Sequence, residues 1–174
     1  MPQMLDPNFN GTLTYVCEHN EQGAMGVIIN RRIQLSMREL FEQVELPFSG
    51  EDRGVFAGGP VQQDRGFVLH NDERKWESSL DISDSLKLTT SKDILSAISN
   101  NEGPNDYLIT LGYAGWGEGQ LEEELTKNTW LSCPFSSDVI SEIIFCPDSE
   151  HKLSMAMDKL GIDTTQLNGQ IGHA

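Results

Sequence analysis

Cys17 and His19 stand two residues apart in the run Tyr15-Val16-Cys17-Glu18-His19, a spacing that could carry chemistry. On a regular strand, residues i and i+2 share a face, so thiol and imidazole would sit together while Glu18 points away. An imidazole beside a thiol lowers the thiol pKa and yields a reactive or redox-sensing thiolate. A Cys-His catalytic pair also needs an orienting group and oxyanion donors, and the sequence identifies neither. His70, closing a later apolar run, is a second candidate base or simply a polar residue ending a strand. A metal centre would have to draw on Cys17, His19, His70 and His173. None of these has the paired spacing of a structural zinc site, so no metal and no other cofactor is expected. The competing reading of Cys17 is a small apolar side chain, half-buried as a strand ends.

A second group of residues suits binding. The segment Gly112-Tyr113-Ala114-Gly115-Trp116-Gly117-Glu118-Gly119-Gln120-Leu121-Glu122 sets four glycines around two aromatic rings. It fits neither GxGxxG nor a Walker loop, which needs a Lys-Ser/Thr pair. Glu118, Glu122, Glu123 and Glu124 favour the helix dipole that follows but repel phosphate. What remains is a tight packing loop, or a surface where Tyr113 and Trp116 meet a neutral or cationic ligand or a peptide. The turn Gly58-Gly59-Pro60-Val61-Gln62-Gln63-Asp64-Arg65 is its companion. Arg65 either pairs with an internal carboxylate, the favoured reading in so acidic a chain, or offers its fork to a carboxylate ligand. Gly58, Gly59, Pro60, Asp64, Arg65, Gly112, Tyr113, Gly115, Trp116, Gly119, Gln120 and Glu122 are expected to form one ligand or partner surface.

Strands and helices must hold these residues. Thr12 to Glu18 and Ala24 to Ile29 read as a hairpin. Ser36 with Glu39 forms a capping box, opening a helix that Pro47 ends. Val55 to Ala57 and Gly66 to His70 read as strands separated by the long Gly-Gly-Pro turn. Trp76 to Leu80 and Leu86 to Thr89 are weaker strands, and Ser91 caps a helix through Ser99. Tyr107 to Leu111 is the strand feeding the aromatic loop, and Gln120 to Lys127 the helix leaving it. Trp130-Leu131 reads as a short strand, and residues 138–145 lean to helix. The last helix starts at Asp148 or Ser149 and stops at Gly161. Hairpins mixed with four or five helices, without regular βαβ alternation, indicate an α+β domain around a mixed, curved sheet.

The 174 residues fit a single domain, 1–174, large enough to fold without disulfides or metals. Acidic residues number 27 against 12 basic, a net charge of −15 that opposes nucleic acid and anionic lipid. Cys17, Cys133 and Cys146 make an odd set without a CxxC, which predicts free thiols in a reducing compartment. The N-terminus lacks the basic and apolar regions of a signal peptide, and no run reaches the ~18 apolar residues of a membrane span. A cytoplasmic protein with no membrane association is the expectation.

Four stretches together resemble the AlgH/YqgE family of bacterial proteins. They are Cys17-Glu18-His19 through Gly23-Ala24-Met25-Gly26 and Asn30; Gly58-Gly59-Pro60-Val61 with Asp64-Arg65-Gly66-Phe67 and Leu69-His70; Gly112-Tyr113-Ala114-Gly115-Trp116 with Gly119-Gln120-Leu121-Glu122; and Gly172-His173-Ala174. The resemblance implies a bifurcated sheet folded into a pseudo-barrel. It supplies no agreed reaction, although the family is sometimes labelled as transcriptional regulators. Family members usually carry an apolar strand before the segment matching Met1-Pro2, so one sheet edge is expected to lack it here. Lys152-Leu153 stand where a tryptophan is often found.

Three function classes follow. A binding or regulatory module acting through a protein or small-molecule partner leads. An enzyme or redox sensor using Cys17, with His19 or His70 as base, is second. A DNA-binding regulator is third, because the charge opposes it and no helix-turn-helix with a basic face occurs.

Overall fold

The computed structural model describes residues 6–163. Among them, seven strands form one sheet and five helices pack around it, an α+β arrangement. The strands are β1 (Thr14–Asn20), β2 (Gly23–Ile28), β3 (Val55–Ala57), β4 (Val61–His70), β5 (Ser79–Asp81), β6 (Lys87–Thr89) and β7 (Tyr107–Trp116). The helices are α1 (Met37–Gln43), α2 (Lys92–Ser99), α3 (Gln120–Thr126), α4 (Ser137–Ile144) and α5 (His151–Lys159). No helix among the described residues is long and apolar enough to cross a membrane. Gly172-His173-Ala174 lies outside the described residues.

The order β1-β2-β7-β4-β6-β5 is antiparallel throughout, while β3 joins β7 in parallel. One edge of β7 carries both β3, along Ile109 to Leu111, and β2, along Ala114 to Trp116. The sheet therefore forks at Gly112 and curls into a pseudo-barrel. Alternation along the strands fills both faces. Phe56, Phe67, Leu69 and Leu108 join Ile143, Ile144 and Ala156 from α4 and α5 in one core. Their neighbours Val55, Val68 and Ile109 join Met37, Phe41, Ile94 and Ile98 from α1 and α2 in another.

Local signals act as read at several points. Ser36 and Glu39 close the capping box of α1, and Asp148 accepts from the amides of Glu150 and His151 just ahead of α5, which starts at His151, later than the Asp148 or Ser149 read from the sequence. Three further expectations need correction. Residues 112–116 are not a loop; they continue β7 for ten residues in all. The Gly-Gly-Pro turn is short, because β4 already begins at Val61. Trp130-Leu131 forms no strand; Trp130 is instead held by ring contacts to Phe9 and Trp116.

Candidate functional site

Two glycine motifs build the fork. Gly58 donates its amide to Leu111 (2.7 Å) and accepts from Ile28 (2.8 Å), tying β7 to β2. A Cβ on Gly58 would lie 2.2 Å from the Gly112 carbonyl oxygen, and one on Gly59 2.1 Å from the Tyr113 carbonyl carbon. Only glycine allows backbones this close. Gly112 itself has φ +74° and faces the carbonyls of Gly59 and Val61. Its left-handed turn rephases β7. Tyr107, Ile109 and Leu111 pack with the α1–α2 core, yet Tyr113 packs on the opposite one, edge-on to Phe67 at 5.6 Å. Across from Gly112, β4 bulges between Val61 and Gly66 and carries Arg65 outward.

The result is an open cleft of about 640 Å³, lined in part by Arg65, Tyr113, Gly115 and Trp116. The guanidinium of Arg65 stands 5.7 Å above the Phe67 ring and makes two long hydrogen bonds, 3.4 Å each, to Gln62 and Thr90. The internal carboxylate expected for Arg65 is not there: no ion pair to it occurs among the described residues. Gly58, Gly59 and Gly112 serve the fork and do not line the cleft. Pro60, in the turn before β4, and Asp64, on the bulge, are both exposed. Gly119, Gln120 and Glu122 lie at the start of α3, where Gln120 caps the Gly117 amide and Glu122 pairs with His19. The predicted residues thus divide among the fork, the cleft and α3.

Sequence reasoning missed several walls of the cleft. Glu18, Met25, Ser78 and Leu88 come from β1, β2, the approach to β5, and β6. Ser78 and Leu88 stand in no motif, and the stretch that holds Glu18 and Met25 does not mark them as cleft walls, because that role depends on how the sheet curls.

The Cys17–His19 pair does not form. Cys17 falls at an irregularity in the β1–β2 register, between Val16 and Glu18, and such a bulge breaks the alternation assumed for a regular strand. Its side chain enters the core at 7 % exposure, with the sulfur 3.6 Å from the Tyr15 carbonyl. Burial pushes the thiol up to about 12, the opposite of the depression a nucleophile needs. His19 turns instead to Glu122, at 2.6 Å. The Glu122 carboxyl is held below the usual carboxylate range by its own backbone amide, then by His19.

His70 is fully buried and hydrogen-bonds through Nε2 to Thr89 Oγ1 at 2.7 Å. Its Nδ1 accepts from the Asp72 amide, which places the ring proton on Nε2. Burial pulls its pKa down to about 4. No cluster of three or more metal-ligating side chains occurs among the described residues, and His173 lies outside them.

Trp116 is 7 % exposed and anchors the start of the acidic helix. Its indole and that of Trp130 both donate to Glu124 Oε2, at 2.9 and 2.7 Å, while Gln120 donates to Oε1. Lys152 was not anticipated in the core. It is fully buried, donates to the Ile29 carbonyl at 2.9 Å, lies over the Phe56 ring, and is depressed to about 8 by burial.

Known proteins share this whole framework. The profile of the AlgH-like family matches residues 1–165. A UPF0301 protein of Thiobacillus denitrificans is 49 % identical, over all of this chain and 93 % of the relative. One of Hahella chejuensis is 47 % identical, over all of this chain and 92 % of the relative. The solution structure of the AlgH protein from Pseudomonas aeruginosa superposes with a TM-score of 0.76 at 46 % identity, covering 100 % of this chain and 92 % of that one. On profile, identity and fold together, the chain belongs to the AlgH-like family.

Proposed function

We propose that this protein is a non-enzymatic binding module, regulatory in effect, whose partner occupies the cleft beside Arg65, Tyr113 and Gly115. The observation that carries this reading is the convergence there of two motifs distant in sequence, with an arginine that has no ion-pair partner among the described residues. The walls mix hydroxyl, amide and apolar groups with the Glu18 carboxylate, and the cleft is open, which suits an extended protein segment. Arg65 asks for an acceptor, and a backbone carbonyl supplies one without adding net charge. The buried thiol of Cys17 weighs against a nucleophilic enzyme, and the charge of −15 against direct contact with DNA. A role in transcription, if the family label holds, would run through a protein partner.

Gly115→Val tests the reading. A Cβ there comes no closer than 3.4 Å to the Tyr113 ring, so the fold accepts it while the branched side chain enters the cleft. In affinity capture from native lysate, a partner held by the wild type should be lost with Gly115→Val and with Arg65→Ala. Asp64→Ala, on the exposed bulge, should keep it. Equal capture by all four proteins would defeat the proposal. Trp116→Ala is unsuitable, because that ring also supports α3.

A further inference from the structure

Behind Trp116 lies a second cavity of about 380 Å³, between the edge strand β1 and helices α3, α4 and α5. That volume lies in the small-molecule range. Tyr15, Leu121, Trp130, Phe135, Ile140 and Met157 supply much of its wall. Among the described residues that line it there is no Lys, Arg, Asp or Glu. The single imidazole, His19, is already engaged by Glu122. An anionic headgroup would therefore find no counter-charge to replace its water, and a cation no carboxylate.

Two further observations point to an occupant. Of the three large apolar side chains left exposed among the described residues, Val16 (37 %) and Leu131 (45 %) both line this cavity. Burial raises both the Tyr15 phenol, to about 12, and the Cys133 thiol, so the two titratable wall groups beside His19 stay neutral at physiological pH.

From this geometry we infer that the cavity is a ligand site for an uncharged, largely hydrocarbon small molecule, with at most one hydroxyl or carbonyl. The cavity is separate from the Arg65 cleft, with Trp116 as a shared wall, and the assignment does not rest on what the cleft binds.

The test uses the neutral fluorophore N-phenyl-1-naphthylamine with the full chain. Saturable binding is expected, displaced by 1-decanol but not by decanoate. Ile140→Trp, which fills the cavity, should weaken the probe by about tenfold or more with the far-UV circular dichroism unchanged. Should that variant fail to fold, the wild type carries its own reporter. Cys133 lines the cavity and Cys146 does not, so 1-decanol should slow maleimide modification of Cys133 several-fold and leave Cys146 unaffected. Absence of saturable binding, equal competition by decanoate, unchanged affinity in a folded Ile140→Trp, or equal protection of both thiols would each overturn the assignment.

Discussion

Burying an imidazole against a threonine hydroxyl fixes its charge state and ties stability to pH. His70 falls from its ordinary 6.5 to about 4 in the folded protein, so between those values the unfolded chain binds the extra proton. Stability is complete above about pH 6.5 and declines as pH drops toward 4. At pH 5 the loss from this residue is about 2 kcal/mol. Urea titrations of wild type and His70→Gln at pH 7 and pH 5 should show that increment in the wild type and its absence in the variant. The spacing of Cys17 and His19 was visible in the sequence, but their separation was not. A bulge sends the thiol into the core, and α3 brings Glu122 to the imidazole. Lys152 is a harder case: nothing local announces that a lysine will donate to Ile29, more than a hundred residues away in the chain.

Among the elements, β7 carries the most. It pairs with β4 on one edge and with β3 then β2 on the other, and Gly112 is where those two pairings meet. Alanine at 112 would have to hold φ +74° with its Cβ 2.5 Å from the Gly59 carbonyl. Left-handed backbone alone costs about 1–3 kcal/mol for a non-glycine residue. With the clash added, Gly112→Ala should lose about 3 kcal/mol or more, read as a lower urea midpoint at unchanged slope. Gly115→Ala, three residues on, should be far milder, because its Cβ meets only the Tyr113 ring at ordinary contact distance. The glycines read as a loop because flexible residues and turns correlate locally. In the folded chain the same residues continue a strand whose partners sit too close for side chains, and no window of sequence contains those partners.

For the molecule as a whole, charge sets which encounters succeed. At −15 the chain repels a phosphate backbone, and affinity for DNA depends on releasing counterions to clustered Lys and Arg. Duplex DNA should therefore not be retained in gel-shift experiments even at about 50 mM salt, and retention with a steep salt dependence would contradict this. The two cavities lie on either side of Trp116, so the ring and its hydrogen bond to Glu124 hold both walls in place.

By itself the sequence determined the α+β class, four or five helices, the capping box of α1, the β1–β2 hairpin and the family, because each follows from short-range periodicity, cap chemistry or motif order. It also named Arg65, Tyr113, Gly115 and Trp116 as residues worth watching. Tertiary structure decided which of the glycines face a cleft and which face backbone, why Arg65 has no carboxylate, and where the apolar cavity opens. Those outcomes depend on contacts between β4 and β7, and between β1 and α3, α4 and α5. The energies of such contacts belong to pairs distant in the chain, so they are written only once the sheet has curled.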